Sequence, residues 1–426
     1  MASSTELELA RKIATEKLNL QVRDIGPIGK GYNNFIFKLS LDDCHDFRSD
    51  RGRPQPGTVA LPPQTRELIL RIPNPDASLN NPARVEHEVA VLALLRSSES
   101  QKLKALIPDV YSWKNYVDSN DTGWILSQHM QGTNVGLEFP RIPLERQKII
   151  VHQLAQIAKA IQDLSIPSSV RGYGGACFND AGEVVSGPAA LPIGAPYETY
   201  QDLYKGLLRR QLELSDSSDV LNGWRDSGLR DRLDKFLAEG IDAIFKTTAV
   251  SSRKCLVHGD LSTHNILVDP DTFEITALLD FELSHIASPL EEYLYSFYDV
   301  HGLLPGLYTT DEGMVAVRKA LLDGFPSPLP ESPPLPTGPV RFGEKQNIQW
   351  ELLKAWDDEL AALGVLRPAT IPYAADISAL HWFSQDVCQF YFLQDMWLEA
   401  IGEKRVAEER KEQQELLEQY LTGRGY

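Results

Sequence analysis

The sequence is poor in cysteine, has fewer basic than acidic residues, and lacks any long apolar run. Its four cysteines lie far apart with no CxxC pair, which argues against a disulfide scaffold or a structural zinc site. The sequence has no stretch of 18 apolar residues, so no membrane-spanning helix is predicted. Lys and Arg number 42 against 59 Asp and Glu, and the net charge of −17 disfavours general nucleic-acid binding.

What is present is an ordinary globular composition, with 42% hydrophobic and 24% charged residues. A length of 426 residues predicts two or three domains or lobes. The N-terminus has early acidic residues at Glu6 and Glu8 and no apolar core of a presequence. We therefore expect a cytoplasmic protein with reduced thiols.

Apolar periodicity predicts a strand-rich first part and a helical second part. Residues 1–128 are expected to form a small sheet with one main helix, and the glycine-rich residues 172–175 to lie in a loop. Strands are predicted at 35–39, 67–72, 111–113 and 124–127, and helices at 5–20, 83–96, 144–164, 197–214, 229–247, 347–363 and 376–422.

The stretch 255–282 carries the most informative chemistry. An apolar run leads into His258-Gly259-Asp260, Asn265 follows five residues after Asp260, and an apolar hairpin returns the chain to Asp280. Asp260, Asn265 and Asp280 can therefore converge. Two carboxylates and an amide oxygen form a hard site that suits Mg²⁺, and a carboxylate left off the metal can accept a hydroxyl proton.

These residues, together with Leu279-Asp280-Phe281-Glu282, resemble the catalytic and metal loops of the protein-kinase-like fold. The pattern is closer to the aminoglycoside phosphotransferase and choline kinase family than to protein kinases proper, which carry Arg in place of Gly259 and DFG at the metal loop. The motif-level resemblance covers about residues 20–300.

The resemblance implies an α+β, two-lobed protein-kinase-like fold, with a small antiparallel-sheet N-lobe with one main helix and a larger helical C-lobe. We expect a nucleotide-binding N-lobe at 1–128, a hinge at 129–134 and a helical C-lobe at 135–426. The C-lobe would hold the catalytic loop (256–268), the metal loop (279–283) and the acceptor-binding helices.

The resemblance also implies a role for each motif residue. Asp260 is expected to be the base that receives the acceptor hydroxyl proton, with Asn265 and Asp280 as Mg²⁺ ligands and His258 packed beneath the loop. Gly259 stands where protein kinases have the Arg that pairs with an activation-loop phosphate, so that partner is missing here. Only eight residues separate Asp280 from Pro289, so we expect activity without phosphorylation switching.

A glycine-containing turn is the first candidate for nucleotide binding. Gly29-x-Gly31, followed by Asn34, lies between a predicted strand that begins near Ile25 and the predicted strand at 35–39, and it can present backbone N–H groups to phosphates. An ordinary hairpin turn has the same pattern, and the position ahead of the catalytic loop favours the phosphate-binding interpretation.

Four further positions complete the expected nucleotide site. Arg71 stands where the family usually has a phosphate-binding Lys, and its planar guanidinium can clasp a phosphate. Glu88 of the helix 83–96 is expected to pair with Arg71, because Glu86 faces another direction. Gln128 and Met130 lie in the segment that the resemblance identifies as the adenine-binding hinge.

The resemblance implies Mg²⁺-dependent transfer of the γ-phosphoryl group of ATP, with GTP as the alternative, to a hydroxyl of a small molecule. Residues 290–398 carry 15 acidic and 6 basic residues together with clustered aromatics, which suits a cationic acceptor if these aromatics are not simply helix core. No nucleic-acid or membrane partner is expected. A weak or inactive kinase-like nucleotide-binding protein is the alternative function, suggested by Arg71 and Glu282. A protein kinase is disfavoured by Gly259.

Overall fold

The computed structural model describes residues 4–28, 33–42, 55–77, 79–116, 122–191, 193–194, 196–309, 311–332 and 347–426. These residues form two compact units. The sheet unit contains the described residues up to Pro196 together with Cys255–Ile286, and the helical unit contains Tyr197–Lys254 and the described residues from Ala287 onward. This division differs from the predicted lobe and hinge boundaries, which remain a prediction.

The sheet unit is built on an antiparallel sheet that has five strands among the described residues. Alternation along two of them places Phe37, Leu39, Leu68 and Leu70 in the core and turns Arg71 to the opposite face. The strands are β1 (Val22–Pro27), β2 (Asn34–Leu41), β3 (Glu67–Pro73), β4 (Val110–Lys114) and β5 (Trp124–Gln128), in the spatial order β1-β2-β3-β5-β4.

The sheet unit also contains helices. The first helix adds Ala10, Ile13 and Ala14 to the apolar core of the sheet. The next has a proline in its first turn, where no N–H is missed, and it is the main helix of the unit. The helices are α1 (Ser4–Lys12, continued by a π-helical turn at Ile13–Lys17), α2 (Asn81–Arg96), α3 (Gln101–Leu106) and α4 (Leu144–Gln162).

Short strands complete this part of the chain. They are β6 (Thr133–Asn134), β7 (Gly175–Phe178), β8 (Val184–Gly187), β9 (Cys255–Val257), β10 (Ile266–Val268), β11 (Ile275–Leu278) and β12 (His285–Ala287). The pairings are β7 with β8, β9 with β12, and β10 with both β6 and β11. The β10–β11 hairpin is the one that the sequence predicts between Asn265 and Asp280.

The helical unit has an aromatic core. Phe383 stacks on Tyr420 with ring centroids 4.1 Å apart, and Phe236 meets Phe383 edge-on at 5.0 Å. Its helices are α5 (Tyr200–Ser217), α6 (Leu229–Lys235), α7 (Ile241–Thr247), α8 (Glu292–Tyr295), α9 (Glu312–Asp323), α10 (Trp350–Ala362), α11 (Ala374–Asp386) and α12 (Asp395–Gly423). No helix in the described ranges is both long enough and apolar enough to span a bilayer.

The predicted α+β class, with a small antiparallel sheet and one main helix, is confirmed. Several details differ, and α3 and α9 were not predicted. Helical structure in the first segment ends at Lys17 rather than at residue 20, and the predicted loop at 172–175 leads into the β7–β8 hairpin. The predicted helix 376–422 is interrupted between Asp386 and Asp395, where the Val387 carbonyl accepts a hydrogen bond from the Trp224 indole.

Glu291 is a buried carboxylate in the helical unit. Its Oε1 accepts hydrogen bonds from the hydroxyls of Tyr200 and Tyr204, the latter at 2.7 Å, and His381 Nδ1 lies 4.0 Å from Oε2. Burial raises the pKa of Glu291 from its ordinary value near 4.5 to about 7. The folded protein therefore retains a proton that the unfolded chain releases above pH 4.5.

This shift predicts that Glu291 contributes a loss of stability as pH rises from about 4.5 to 7, because a raised carboxyl pKa favours folding only where the group is protonated. Glu291→Gln keeps an oxygen acceptor for both tyrosines and has no charge to bury. We expect its free energy of unfolding at pH 8 to exceed that of the wild type by about 3 kcal/mol at most, and the difference to vanish near pH 4.5. Urea titrations at the two pH values measure this, and an equal difference at both would contradict it.

Candidate active site

The loop after β9 is held in place by His258. Its Nδ1 accepts a hydrogen bond from the Asp260 backbone N–H at 3.2 Å, and its Nε2 donates to the Leu279 carbonyl at 3.1 Å. Burial lowers the pKa of His258 to about 4, so the ring is neutral. The side chain thus joins the catalytic loop to the residue that precedes Asp280, in keeping with the structural role expected for it.

Asp260 and Asn265 are in direct contact. The Asn265 amide nitrogen donates to Asp260 Oδ2 at 2.7 Å and to the Asp260 carbonyl at 2.8 Å. The backbone carbonyl of Asn265 accepts a hydrogen bond from the Leu279 N–H at 2.8 Å. These contacts bring Asp260, Asn265 and the start of the metal loop together, as the hairpin predicts.

Gly259 is required by the backbone. Its φ is +80°, and a Cβ at this position would lie 2.4 Å from the Leu283 carbonyl oxygen. An arginine side chain therefore cannot be placed here without moving the metal loop. The absence of the protein-kinase Arg follows from this close approach.

We expect Gly259→Ala to lower both stability and turnover, because the added methyl group displaces the metal loop. Gly228→Ala is the matched control, since Gly228 has φ +71° and a Cβ added there would meet nothing within 4 Å. The free energy of unfolding should fall by about 1–3 kcal/mol more in Gly259→Ala than in Gly228→Ala. Equal losses in thermal and urea unfolding would show that the contact with Leu283 is unimportant.

Arg71 lies among three carboxylates, those of Glu88, Asp280 and Glu282, and Glu282 Oε2 is 3.8 Å from its Nη2. Its Nη1 donates to Glu88, which is the predicted partner, and its Nη2 donates to Asp280 Oδ1 at 2.9 Å. Burial raises the pKa of Glu88 to about 7, and the Arg71 charge opposes that rise. Glu86 faces elsewhere, as expected, and accepts a hydrogen bond from the Phe178 N–H.

A second buried ion pair was not predicted from the sequence. Arg84 Nη2 lies 2.8 Å from Glu282 Oε2, and both side chains are 2% exposed. Asn33 and Asn34 donate to the two oxygens of the same carboxylate. The one sequence feature that could have indicated this pair is the position of Arg84, four residues before Glu88 and therefore on the same face of α2.

The remaining predicted nucleotide residues have the following positions. The Asn34 side chain is engaged with Glu282, while Gly29 and Gly31 lie outside the described residues. Gln128 ends β5, where its Oε1 accepts from the Asp109 N–H, and Met130 is half-buried beyond the strand. Their roles toward a nucleotide stay predictions.

The oxygen donors near Asp280 fit a magnesium ion. Asp280 Oδ1 accepts a hydrogen bond from Arg71, and the Asp280 side chain is 38% exposed. Asn265 uses its nitrogen toward Asp260, and its amide oxygen accepts no hydrogen bond from the described residues. The described residues contain no cluster of three His, Cys, Asp or Glu side chains that could hold a metal. Mg²⁺ needs no such cluster, because it takes one or two carboxylates together with water and phosphate oxygens.

Comparison with known proteins gives a family and a set of similar structures. A family model described as the phosphotransferase enzyme family matches residues 58–309, which is more than half of the chain. The comparison with curated proteins returns no match. The family match and the arrangement of the sheet with α2 confirm the predicted protein-kinase-like fold.

Three solved structures illustrate the similarity. A thermostable mutant of aminoglycoside phosphotransferase APH(4)-Ia, with AMP-PNP and hygromycin B, is 20% identical over 68% of this chain and 75% of that chain, with a TM-score of 0.38. The gentamicin complex of APH(2″)-IIa is 12% identical over 98% and 97%, with a TM-score of 0.49. Macrolide 2′-phosphotransferase MphH from Brachybacterium faecium is 14% identical over 97% and 98%, with a TM-score of 0.41.

Proposed function

This chain belongs to the phosphotransferase enzyme family, and we propose that it transfers the γ-phosphoryl group of ATP, or of GTP, to a hydroxyl group of a small molecule. The observation that carries the proposal is the contact of Asp260 with Asn265 and of Asn265 with the metal loop, beside Arg71. Phosphoryl transfer needs little covalent chemistry from a protein and depends on such positioning.

Asp260 is the proposed base. Its carboxylate is half-buried and is oriented by the amide of Asn265 and by the fixed loop backbone at His258. An acceptor hydroxyl that hydrogen-bonds to this carboxylate is aligned for attack, and its proton passes to Asp260 as the new O–P bond forms and the bond to the leaving nucleoside diphosphate breaks.

Asn265 and Asp280 are the proposed Mg²⁺ ligands. A bound Mg²⁺ would neutralise charge on the β- and γ-phosphates. Arg71 supports the same site with a guanidinium that Glu88 holds on one side. Because a guanidinium donates several hydrogen bonds from one plane, Arg71 can bind a phosphate oxygen in place of the usual lysine.

The test is a Mg-ATP consumption screen of the purified chain against pooled hydroxylated metabolites, amino alcohols and antibiotics, repeated with GTP. Acceptor-dependent release of nucleoside diphosphate supports the proposal. A cationic acceptor is included because of the acidic balance of residues 290–398.

A nucleotide-binding protein without turnover is the second candidate, and one observation favours it. Arg71 already donates to Asp280, so the arginine and a metal ion compete for the same carboxylate. Mg²⁺-dependent ATP binding without consumption across the whole panel would support this function over phosphoryl transfer.

A further inference from the structure

We propose that Arg84 and Glu282 form a positioning pair that couples the metal loop to the start of β2, so that nucleotide binding and Mg²⁺ binding depend on each other through this pair. The inference rests on the proposed function, because it concerns the same site. It assigns a role to two residues that neither bind the phosphate nor act as the base.

Glu282 joins the metal loop to the segment that begins β2. Its Oε1 accepts a hydrogen bond from Asn33 Nδ2 at 2.7 Å, and its Oε2 accepts one from Asn34 Nδ2 at 2.8 Å. The same Oε2 accepts from Arg84 at 2.8 Å. With three donors and 2% exposure, this carboxylate has little freedom to move.

Arg84 extends this connection to α2 and to the end of β3. Its Nη2 also donates to the Asn33 carbonyl at 2.7 Å, and its Nη1 donates to the Asn74 carbonyl at 3.2 Å. Glu88, which holds Arg71, lies one turn further along α2. A shift of α2 would therefore disturb the Arg71 contacts and the metal loop together.

The pair acts on Asp280 through the backbone and through Arg71, whose Nη2 lies 3.8 Å from Glu282 Oε2 and 2.9 Å from Asp280 Oδ1. Asp280 has φ +64°, a conformation that an L-residue keeps only when the surrounding structure holds it. On its N-terminal side, the Leu279 N–H donates a hydrogen bond to the backbone carbonyl of Asn265. On its C-terminal side, Phe281 packs on His258 with ring centroids 4.7 Å apart, and Glu282 is fixed by its three donors.

The consequence is reciprocal. Loss of the Glu282 charge leaves the buried Arg84 without its counter-ion, and an amide in place of the carboxylate has one acceptor oxygen where Asn33, Asn34 and Arg84 now share two. Both the entry to β2 and the orientation of Asp280 should loosen. Since linked sites change each other's affinity by the same factor, nucleotide affinity and Mg²⁺ affinity should fall together.

The experiment measures binding of a fluorescent ADP analogue over a Mg²⁺ titration, with the intact chain. Glu282→Gln keeps the side-chain shape and removes the charge. We expect at least about a tenfold loss of nucleotide affinity and a rise in the Mg²⁺ concentration at half-saturation. In steady-state assays the KM for nucleotide should rise while the KM for the acceptor stays unchanged.

Two further variants separate coupling from general destabilisation. Asp357→Asn removes the Arg367–Asp357 ion pair of the helical unit, whose nitrogen and oxygen lie 2.9 Å apart, and should leave nucleotide and Mg²⁺ binding unchanged. Arg84→Lys keeps the charge of the pair and loses its forked geometry, and should show the effect of Glu282→Gln at smaller size. If Glu282→Gln fails to fold, Arg84→Lys is the variant that tests the coupling.

Wild-type affinity and Mg²⁺ dependence in the folded Glu282→Gln variant would overturn the coupling and leave the proposed function intact. An equal shift in Asp357→Asn would overturn it as well. A wild-type chain that binds no nucleotide would overturn the proposed function and the coupling with it.

Discussion

Replacing Asp260 by Asn is expected to lower kcat by at least about 10²-fold while the protein stays folded. The amide keeps the size of the side chain and an oxygen that can accept the hydrogen bond from Asn265, so the loop should keep its structure. It cannot take a proton from the acceptor hydroxyl. The loss should therefore appear in kcat, with nucleotide affinity close to that of the wild type.

A matched Asp→Asn change is available in the hairpin that follows the catalytic loop. Asp269 is in the turn between β10 and β11, where its side chain accepts from the backbone of Asp271 and Thr272. Asp269→Asn should keep near-normal turnover. Near-normal kcat in Asp260→Asn, measured with the acceptor found in the consumption screen, would remove Asp260 from the role of base.

Replacing Asp280 by Asn is expected to have an equally large effect on a different quantity. The change removes the anionic oxygen that Mg²⁺ prefers and leaves the proposed metal site with two neutral amide oxygens, from positions 265 and 280. The apparent Mg²⁺ affinity in the presence of nucleotide should fall by at least about 10-fold, and kcat/KM by at least about 10²-fold. Titration calorimetry and initial rates measure the two effects.

The fold should survive this change. Asn tolerates the positive φ at position 280 at least as well as Asp does, and its amide oxygen can still accept a hydrogen bond from Arg71. Circular dichroism and the melting temperature check this. A variant with unchanged Mg²⁺ dependence would show that Asp280 is not a metal ligand, even if its rate were low.

Local spacing explains why the centre of the site was predictable. Asp260 and Asn265 lie in one loop, and the β10–β11 hairpin returns the chain so that the Leu279 N–H, next to Asp280, bonds the Asn265 backbone carbonyl. The Arg71–Glu88 pair required more, namely the alternation in β3 and the helical period of α2, together with the family resemblance. Local spacing thus accounts for the contact of Asp260 with Asn265, whereas the Arg71–Glu88 pair also needed the family resemblance.

The rest depends on residues far apart in the chain. Arg84 and Glu282 are separated by 198 positions, and Asn33 and Glu282 by 249. No periodic pattern relates such positions. A buried arginine on an apolar helix is unusual unless it is paired, and the sequence does not show its partner. The break between α11 and α12 has the same cause, since the Trp224 indole and the Ser218 hydroxyl bond the carbonyls of Val387 and Phe392.

The most direct test of the central claim is a crystal structure of the chain with Mn²⁺ and a non-hydrolysable ATP analogue, with the metal located by its anomalous signal. We expect one Mn²⁺ bound by the Asp280 carboxylate and the Asn265 amide oxygen, with Asp260 off the metal and Arg71 within hydrogen-bond distance of a phosphate. A metal and nucleotide located away from these residues, or coordinated without Asp280, would contradict the account.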